Sequence, residues 1–422
     1  MKVSITSPKT LLELNQHKIK LGLSRVRSVI KKLDLNKTND NRKVLTINGT
    51  SAKNSILQIF KKIISQQKKT FAVTTSPHLV SLVERFELNN NFIKKHLLKK
   101  ILMKVSQFRK LTEFERLIIA FGIYIKNKKV DWVLAEFGLF GRKDAIRALY
   151  PKPNVHVISP ISWDHLDWTK TKKRNLRSLK EIVFEKTSFI KSKVYIAKQT
   201  PLVLKMIKTN LKSNFSEKII YGRDFKLTKK NKRYFYNDKR HKFEIKSNLI
   251  GQHNYENAVV AIRIALDQNI PLKIIKIALK NISIKGRLQI LKKGKLRKKL
   301  NPKDILILDG AHNDQQSSKL VNAINQFNKK DKYAVISMIN SKDPYSFLSP
   351  MKKKFKKIFF VNMQREKNVI PKEELHKIAT KLNINSSVSK SFETVKNEIS
   401  SSPKCLVATG SLYFIGSLLK KN

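Results

Sequence analysis

Short β-branched, apolar runs alternate with longer stretches of helical spacing through the first half of the chain. "KVLTI" (Lys43–Ile47), "TFAVTT" (Thr70–Thr75), "DWVLAEFG" (Asp131–Gly138) and "VHVISPI" (Val155–Ile161) read as buried strands. Between them "LTEFERLIIAFGIYIK" has the apolar spacing of a helix, and Thr112 with Glu115 fits a capping box at its start. Around residues 217–248 the pattern turns to alternation, which predicts antiparallel strands; "NYENAVVAIRIAL" then returns to helix. A basic stretch, "KGRLQILKKGKLRKKLNP", reads as a bridge. After it "DILILDGA", "KYAVISM", "KIFFVN" and "KCLVATG" begin a second strand series. Strand–helix alternation of this kind predicts α/β layers around parallel sheets. The expected architecture is an α/β domain over 1–284 with a parallel sheet and a small antiparallel one. A linker over 285–296 and a Rossmann-like α/β domain over 297–422 follow.

Composition adds limits. A length of 422 residues favours two or three domains, and 41% hydrophobic content is enough to build real cores. One cysteine, Cys405, excludes internal disulfides and suits a reducing compartment. The N-terminal "MKVSITSPKTLLELNQHKIK" lacks the apolar region of a signal peptide, and "LIIAFGIYI" is far shorter than the ~20 residues that span a bilayer. The expectation is a soluble, cytoplasmic protein with no membrane partner.

Charge is extreme: 89 Lys plus Arg against 30 Asp plus Glu, net +59. Lysine is spread over every region, as in "KKNKRYFYNDKRHK" and "KKKFKKIFF", with Ile and Asn also abundant. A nucleic-acid surface concentrates basic residues on one face and adds arginine and aromatics for base contacts. The spread reads as compositional drift, so no specific nucleic acid is expected; a basic nucleic-acid-binding protein remains the rival from another class.

Candidate chemistry sits at strand ends, where open α/β sheets bind ligands. "INGTSAKNS" (Ile47–Ser55) outlines a phosphate-binding loop: an apolar strand, then Gly49, Thr50, Ser51, Ala52, Lys53, Asn54 and Ser55 opening an apolar helix. Ser76 and His78 follow the next strand, Glu136 ends another, and Asp164 with His165 follows a fourth. Lys186 stands behind a carboxylate in "FEKTSFIK", and Asp309, His312 and Asn313 end the first strand of the second series. Singly, each has a structural explanation; a hydroxyl, a carboxylate and an imidazole converging on a phosphate loop would make a Mg²⁺–nucleotide site.

The order of these motifs resembles the folylpolyglutamate synthase/dihydrofolate synthase branch of the Mur ligase superfamily. "LGLSRVRSVIKKLDL" is similar to that family's opening helix, "TINGTSAKNS" to its GTNGKGS loop, and "TSPHLVSLVERF" to its TSPHL…ER segment. "LAEFGLFGRKDA" is similar to its EVGLGGRxDAT, "SWDHLDW" to its LDH segment, and "EKTSFIK" to its EKAGIxK. "GQHNYENAVVAI", "KGRLQIL", "LDGAHND" and "VATGSLYFIG" match HQxxNA, PGRFQ, LDGAHNP and TGSLYxxG. The resemblance runs nearly the whole length.

It implies an ATP-dependent ligase that adds L-glutamate to tetrahydrofolate, with dihydropteroate as a further acceptor left open, through an acyl phosphate. It implies that Lys53 neutralises phosphate charge, that Ser55 and the loop amides bond phosphate oxygens, and that Ser76 and Glu136 bind Mg²⁺. His165 would hold a second Mg²⁺ and Lys186 would be carbamylated. Asn257, Arg287, Asp309 and His312 would serve the nucleotide, and folate would lie by "SPHLVSLVERF". A monomer is expected.

Several positions depart from the pattern. Ala52, Asn54 and Phe140 replace glycines, Ile146 and Arg147 replace Thr-Asn, Ser162 and Trp163 replace small and apolar residues, and Lys285 and Asp314 replace prolines. The losses fall on backbone-permissive residues, while charged and metal-binding side chains persist. A working but altered loop is the expectation, and a non-catalytic nucleotide- or folate-binding relative is its nearest rival.

Overall fold

The apolar run at Val44 becomes β1 (Lys43–Asn48), near the centre of an eight-stranded sheet. The structure, a computed structural model, describes residues 22–35, 41–164, 166, 169–212, 217–363, 368–399 and 403–422. It divides into two compact units. The first takes the described residues up to Lys246 together with Glu256–Lys280; the second takes Ser247–Tyr255 and Asn281–Asn422.

In the first unit β1 is joined by β2 (Phe71–Thr74), β3 (Glu87–Leu88), β4 (Asn91–Phe92), β5 (Trp132–Glu136), β6 (Val155–Ile158), β7 (Val194–Ile196) and β8 (Lys218–Ile220). Their order is β4-β3-β2-β5-β1-β6-β7-β8. From β2 to β8 every pairing is parallel, and β3 and β4 add an antiparallel edge. Parallel neighbours need crossover connections, and helices covering both faces explain why strands such as β5 are buried at every position. From β1 the chain runs outward to β2, and from β5 it crosses β1 to β6. The C-terminal ends of β1, β5 and β6 therefore flank a switch point, the place where such sheets leave a crevice.

The helix Glu113–Ile125 carries the capping box expected from sequence. Thr112 Oγ1 accepts the Glu115 amide, and Glu115 accepts the Thr112 amide at 2.8 Å. The Glu115 carboxylate also pairs with Arg25 of the opening helix (Ser24–Lys32) at 2.6 Å. The alternating region divides. Lys218–Ile220 joins the main sheet in parallel, a correction to the expected antiparallel run. β9 (Phe225–Lys230), β10 (Arg233–Asp238) and β11 (Lys242–Glu244) form the small antiparallel sheet.

The second unit holds β12 (Gln289–Ile290), β13 (Ile305–Leu308), β14 (Asp331–Ile336), β15 (Lys357–Phe360), β16 (Ser386–Val388) and β17 (Lys404–Thr409), in the order β12-β13-β17-β14-β15-β16. All pairings but β12–β13 are parallel. The stretch expected as a linker over 285–296 is thus partly sheet: Gln289 and Ile290 pair with Leu308 and Ile307. Alternation with lysine hid a strand whose partner lies elsewhere in sequence. Among the described residues, no helix is long and apolar enough to cross a membrane.

Candidate active site

The end of β1 fixes the loop. Asn48 Oδ1 accepts the Gly49 amide at 2.7 Å, and its Nδ2 donates to the Lys186 carbonyl at 2.8 Å. Gly49 adopts φ 144°, and a Cβ there would lie 2.0 Å from Ser159 Oγ, so only glycine fits between β1 and the end of β6. Thr50 and Ser51 then donate their amides to the Pro160 carbonyl at 3.0 and 3.1 Å. These two amides hold the loop against its neighbour, so of the loop amides expected to bond phosphate they are already engaged. Ser51 Oγ is buried without a hydrogen-bond partner.

Ala52 stands at φ 65° and starts the helix Lys53–Gln66. No side chain caps it and no acidic residue occupies its first turn. Its leading N–H groups and dipole suit an anion, as at other phosphate-binding helix starts. Ser55 is buried in that first turn. Lys53 Nζ donates to the Gly49 carbonyl at 3.2 Å.

Lys186 reaches the same carbonyl. Its Nζ donates to Gly49 O at 3.0 Å from the helix Leu176–Thr187, and the side chain is buried. Burial first, and the Lys53 charge second, push its pKa down to about 7 against the opposing pull of Asp164 and Asp144. The Phe140 ring lies 5.5 Å from this nitrogen, held by a backbone at φ 52°. The preceding carboxylate, Glu185, points to Arg142 instead, at 2.6 Å.

Glu136 ends β5, opposite Ile47 of β1, and is 4% exposed. Its Oε2 accepts the Ser76 amide at 3.3 Å and lies 3.5 Å from Asn54 Nδ2. So Ser76 and Glu136 are brought together beside the loop. Among the described residues no group of three or more His, Cys, Asp or Glu side chains could hold a metal. That donor set still fits Mg²⁺, which takes one or two carboxylates and completes its shell with phosphate oxygens and water. His165 lies outside the described residues.

Beyond Ser76 the loop is pinned by Glu84, whose carboxylate accepts the amides of Leu79, Val80 and Ser81 at 2.8–3.0 Å. Arg85 Nε donates to His78 Nδ1 at 3.1 Å. Burial, aided by that guanidinium, pulls the His78 pKa below its ordinary value. Sequence reasoning gave no role to Asp144. It is buried, accepts the amides of Gly138, Leu139 and Ile146 at 2.8–3.0 Å, and is pushed up to about 6 by burial. The "GRKDA" motif was its signal.

Asn257 is buried in the helix Gln252–Asp267. The other candidates belong to the second unit. Asp309 follows β13, accepts the amides of Leu288 (2.7 Å) and Ala311 (2.9 Å), and is raised by burial against the Arg287 charge. His312 Nδ1 lies 2.7 Å from the Gly310 carbonyl, and Asn313 caps the helix Asp314–Ile324. Asp314, in place of proline, thus begins a helix, where an acidic residue suits the dipole.

A Mur ligase middle domain profile matches residues 47–265, just over half of the chain, and spans the loop, the Glu136–Ser76 pair and Lys186. The chain belongs to the Mur ligase family. A dihydrofolate synthetase C-terminal domain profile matches residues 292–421, which places this Mur ligase in the folylpolyglutamate synthase/dihydrofolate synthase branch. The dihydrofolate synthase/folylpolyglutamate synthase of Haemophilus influenzae is 31% identical over 175 residues, a stretch covering 40% of this chain and 39% of that protein. The solved folylpolyglutamate synthase of Thermotoga maritima is 25% identical with a TM-score of 0.81, covering 98% of this chain and 95% of that one. A bifunctional synthase from Yersinia pestis, complexed with AMPPNP and a Mn ion, shares the fold at 20% identity and a TM-score of 0.81, with 98% and 96% covered.

Proposed function

We propose that this Mur ligase uses ATP to join L-glutamate to the carboxylate of a folate, tetrahydrofolate first and dihydropteroate as a second acceptor. The observation that carries the reading is the meeting of Lys53 and Lys186 on the Gly49 carbonyl, at the uncapped start of a helix and beside the Glu136–Ser76 pair.

A carboxylate oxygen is a poor leaving group. Transfer of the γ-phosphoryl group onto it gives an acyl phosphate and ADP. The glutamate amine then attacks the carbonyl carbon, loses a proton, and expels phosphate from the tetrahedral intermediate. Both steps gather negative charge on oxygen, so the protein's task is positioning and electrostatic stabilisation. Lys53 moves from Gly49 O to the β/γ-phosphates, and the amides opening its helix receive phosphate oxygens. Lys186 and Asn48 keep the loop backbone in place. Glu136 and Ser76 would hold the divalent cation, Mg²⁺, which would supply neutralisation of phosphate charge. On this reading the acceptor docks by the loop pinned by Glu84, with the His78–Arg85 pair to meet its aromatic and acidic parts.

ADP release in the presence of glutamate, with tetrahydrofolate and dihydropteroate compared as acceptors, tests the reading. Turnover dependent on both acceptor and glutamate supports it. ATP binding with no ADP release under saturating substrates leaves a non-catalytic relative.

A further inference from the structure

Position 54 is where the pattern this chain resembles has glycine. The structure removes the backbone reason for one. Asn54 is the second residue of the helix Lys53–Gln66 and is absent from the residues with positive φ, unlike Ala52 two places earlier. What the substitution adds is therefore a side chain, and that side chain is aimed at the metal carboxylate. Asn54 Nδ2 lies 3.5 Å from Glu136 Oε2, the oxygen that also takes the Ser76 amide at 3.3 Å. Both contacts are long for hydrogen bonds, as catalytic contacts often are before substrate and metal draw them in. The elements behind them are regular. Glu136 closes a central strand whose register with β1 is fixed, and Asn54 sits in the first turn of the helix that follows β1.

We propose that Asn54 is a positioning residue for the divalent cation: its carboxamide joins the Ser76 amide on Oε2 of Glu136 and fixes how that carboxylate meets the metal. This rests on the metal–nucleotide reading above. The need is physical. Mg²⁺ tolerates little deviation from octahedral geometry at ~2.0–2.1 Å, so the direction of a supporting carboxylate matters. Partners that orient metal ligands typically change metal affinity by about 10–100-fold when removed.

The test is Mn²⁺ binding, followed by the electron paramagnetic resonance of free Mn²⁺, in the presence of saturating ADP. Metal-free ADP affinity is measured separately by calorimetry in EDTA. Asn54→Ala is expected to weaken Mn²⁺ binding by about tenfold or more while leaving metal-free ADP affinity and the melting temperature near those of the parent. Asn54→Gly is expected to do the same and serves if the alanine variant folds poorly. Glu136→Gln is the control. If it loses Mn²⁺ while Asn54→Ala and Asn54→Gly bind it as the parent does, the positioning role is overturned and the metal site stands. If Glu136→Gln also binds Mn²⁺ normally, the metal-site reading itself fails. A loss of metal-free ADP affinity equal to the loss of Mn²⁺ affinity in the Asn54 variants overturns the proposal too, because the residue would then only support the loop.

Discussion

Ala52 and Phe140 both stand at positive φ, 65° and 52°, in places where the resembled pattern has glycine. Their consequences differ because one side chain is a methyl group and the other a buried ring. Left-handed backbone costs an L-residue about 1–2 kcal/mol, and part of any gain from glycine is offset by the entropy of the unfolded chain. Ala52→Gly is therefore expected to raise stability by roughly 0.5–1 kcal/mol in urea unfolding, with ADP-releasing activity kept or increased. Phe140 is 3% exposed and packs with Ile158, Ile182 and Val183, so Phe140→Gly is expected to lower stability by about 2–4 kcal/mol despite the relaxed backbone. Equal losses in both variants would refute this contrast. The two lysines on Gly49 O separate in the same way. Lys53→Ala removes the loop's cation and is expected to cut kcat on the order of 10²-fold or more; near-normal turnover would remove the phosphate-loop assignment. Lys186→Ala is expected to lose most activity as well. Partial rescue by acetate would mark a carbamate there, since a small anion then replaces one. Lack of rescue would mark the loop-holding amine that the 3.0 Å bond describes.

At the scale of elements, Glu84 accepts three consecutive amides of its own loop, so the turn that presents His78 depends on a carboxylate as well as on the packing of Leu82 and Val83 against the core. Glu84→Gln replaces a charged acceptor by a neutral oxygen. It is expected to speed hydrogen exchange at Leu79, Val80 and Ser81 by an order of magnitude or so, since bonds to charged groups contribute about 1.5–3 kcal/mol. Unchanged exchange would show that the neighbouring chain fixes the loop instead. The strands β1, β2, β5 and β6 of the first unit and β13, β14, β15 and β17 of the second were legible because each is a short apolar run ended by polar residues. The start of the helix Glu113–Ile125 was legible because capping is local chemistry. What escaped was non-local. Lys218–Ile220 looks like the first strand of the antiparallel set, and only its partner β7 makes it parallel. Gln289–Ile290 reads as a basic bridge until β13 pairs with it. The loop's residues were legible by type, but that Thr50 and Ser51 bond Pro160 and that Asn54 faces Glu136 depends on which strands stand side by side.

For the whole molecule, titration and charge set the conditions under which it is stable. His156 is buried and His253 half-buried; desolvation pushes both imidazoles down to about 3, helped at His253 by the Lys319 and Arg287 charges. Between that value and the ordinary 6.5 the unfolded chain binds more protons than the folded one, so stability falls as pH falls through that window. The melting temperature of His156→Gln is expected to fall less from pH 7 to pH 5 than that of the parent; equal falls in the two would contradict a neutral folded-state His156. The net charge of +59 acts across the surface instead. Like charges repel, and the repulsion is screened as the Debye length shrinks from about 30 Å at 0.01 M to about 8 Å at 0.15 M ionic strength. Stability is therefore expected to rise with added salt over that range. The same charge makes weak RNA or DNA binding unavoidable at low salt, because released counterions drive it whatever the surface is for. Compositional drift and a dedicated nucleic-acid function part at higher salt. If the lysines are drift, RNA retention seen at about 20 mM salt should vanish by about 0.2 M and should be the same with Lys53→Ala. Tight, sequence-selective binding that persists at 0.2 M salt would make nucleic acid a partner of this ligase scaffold.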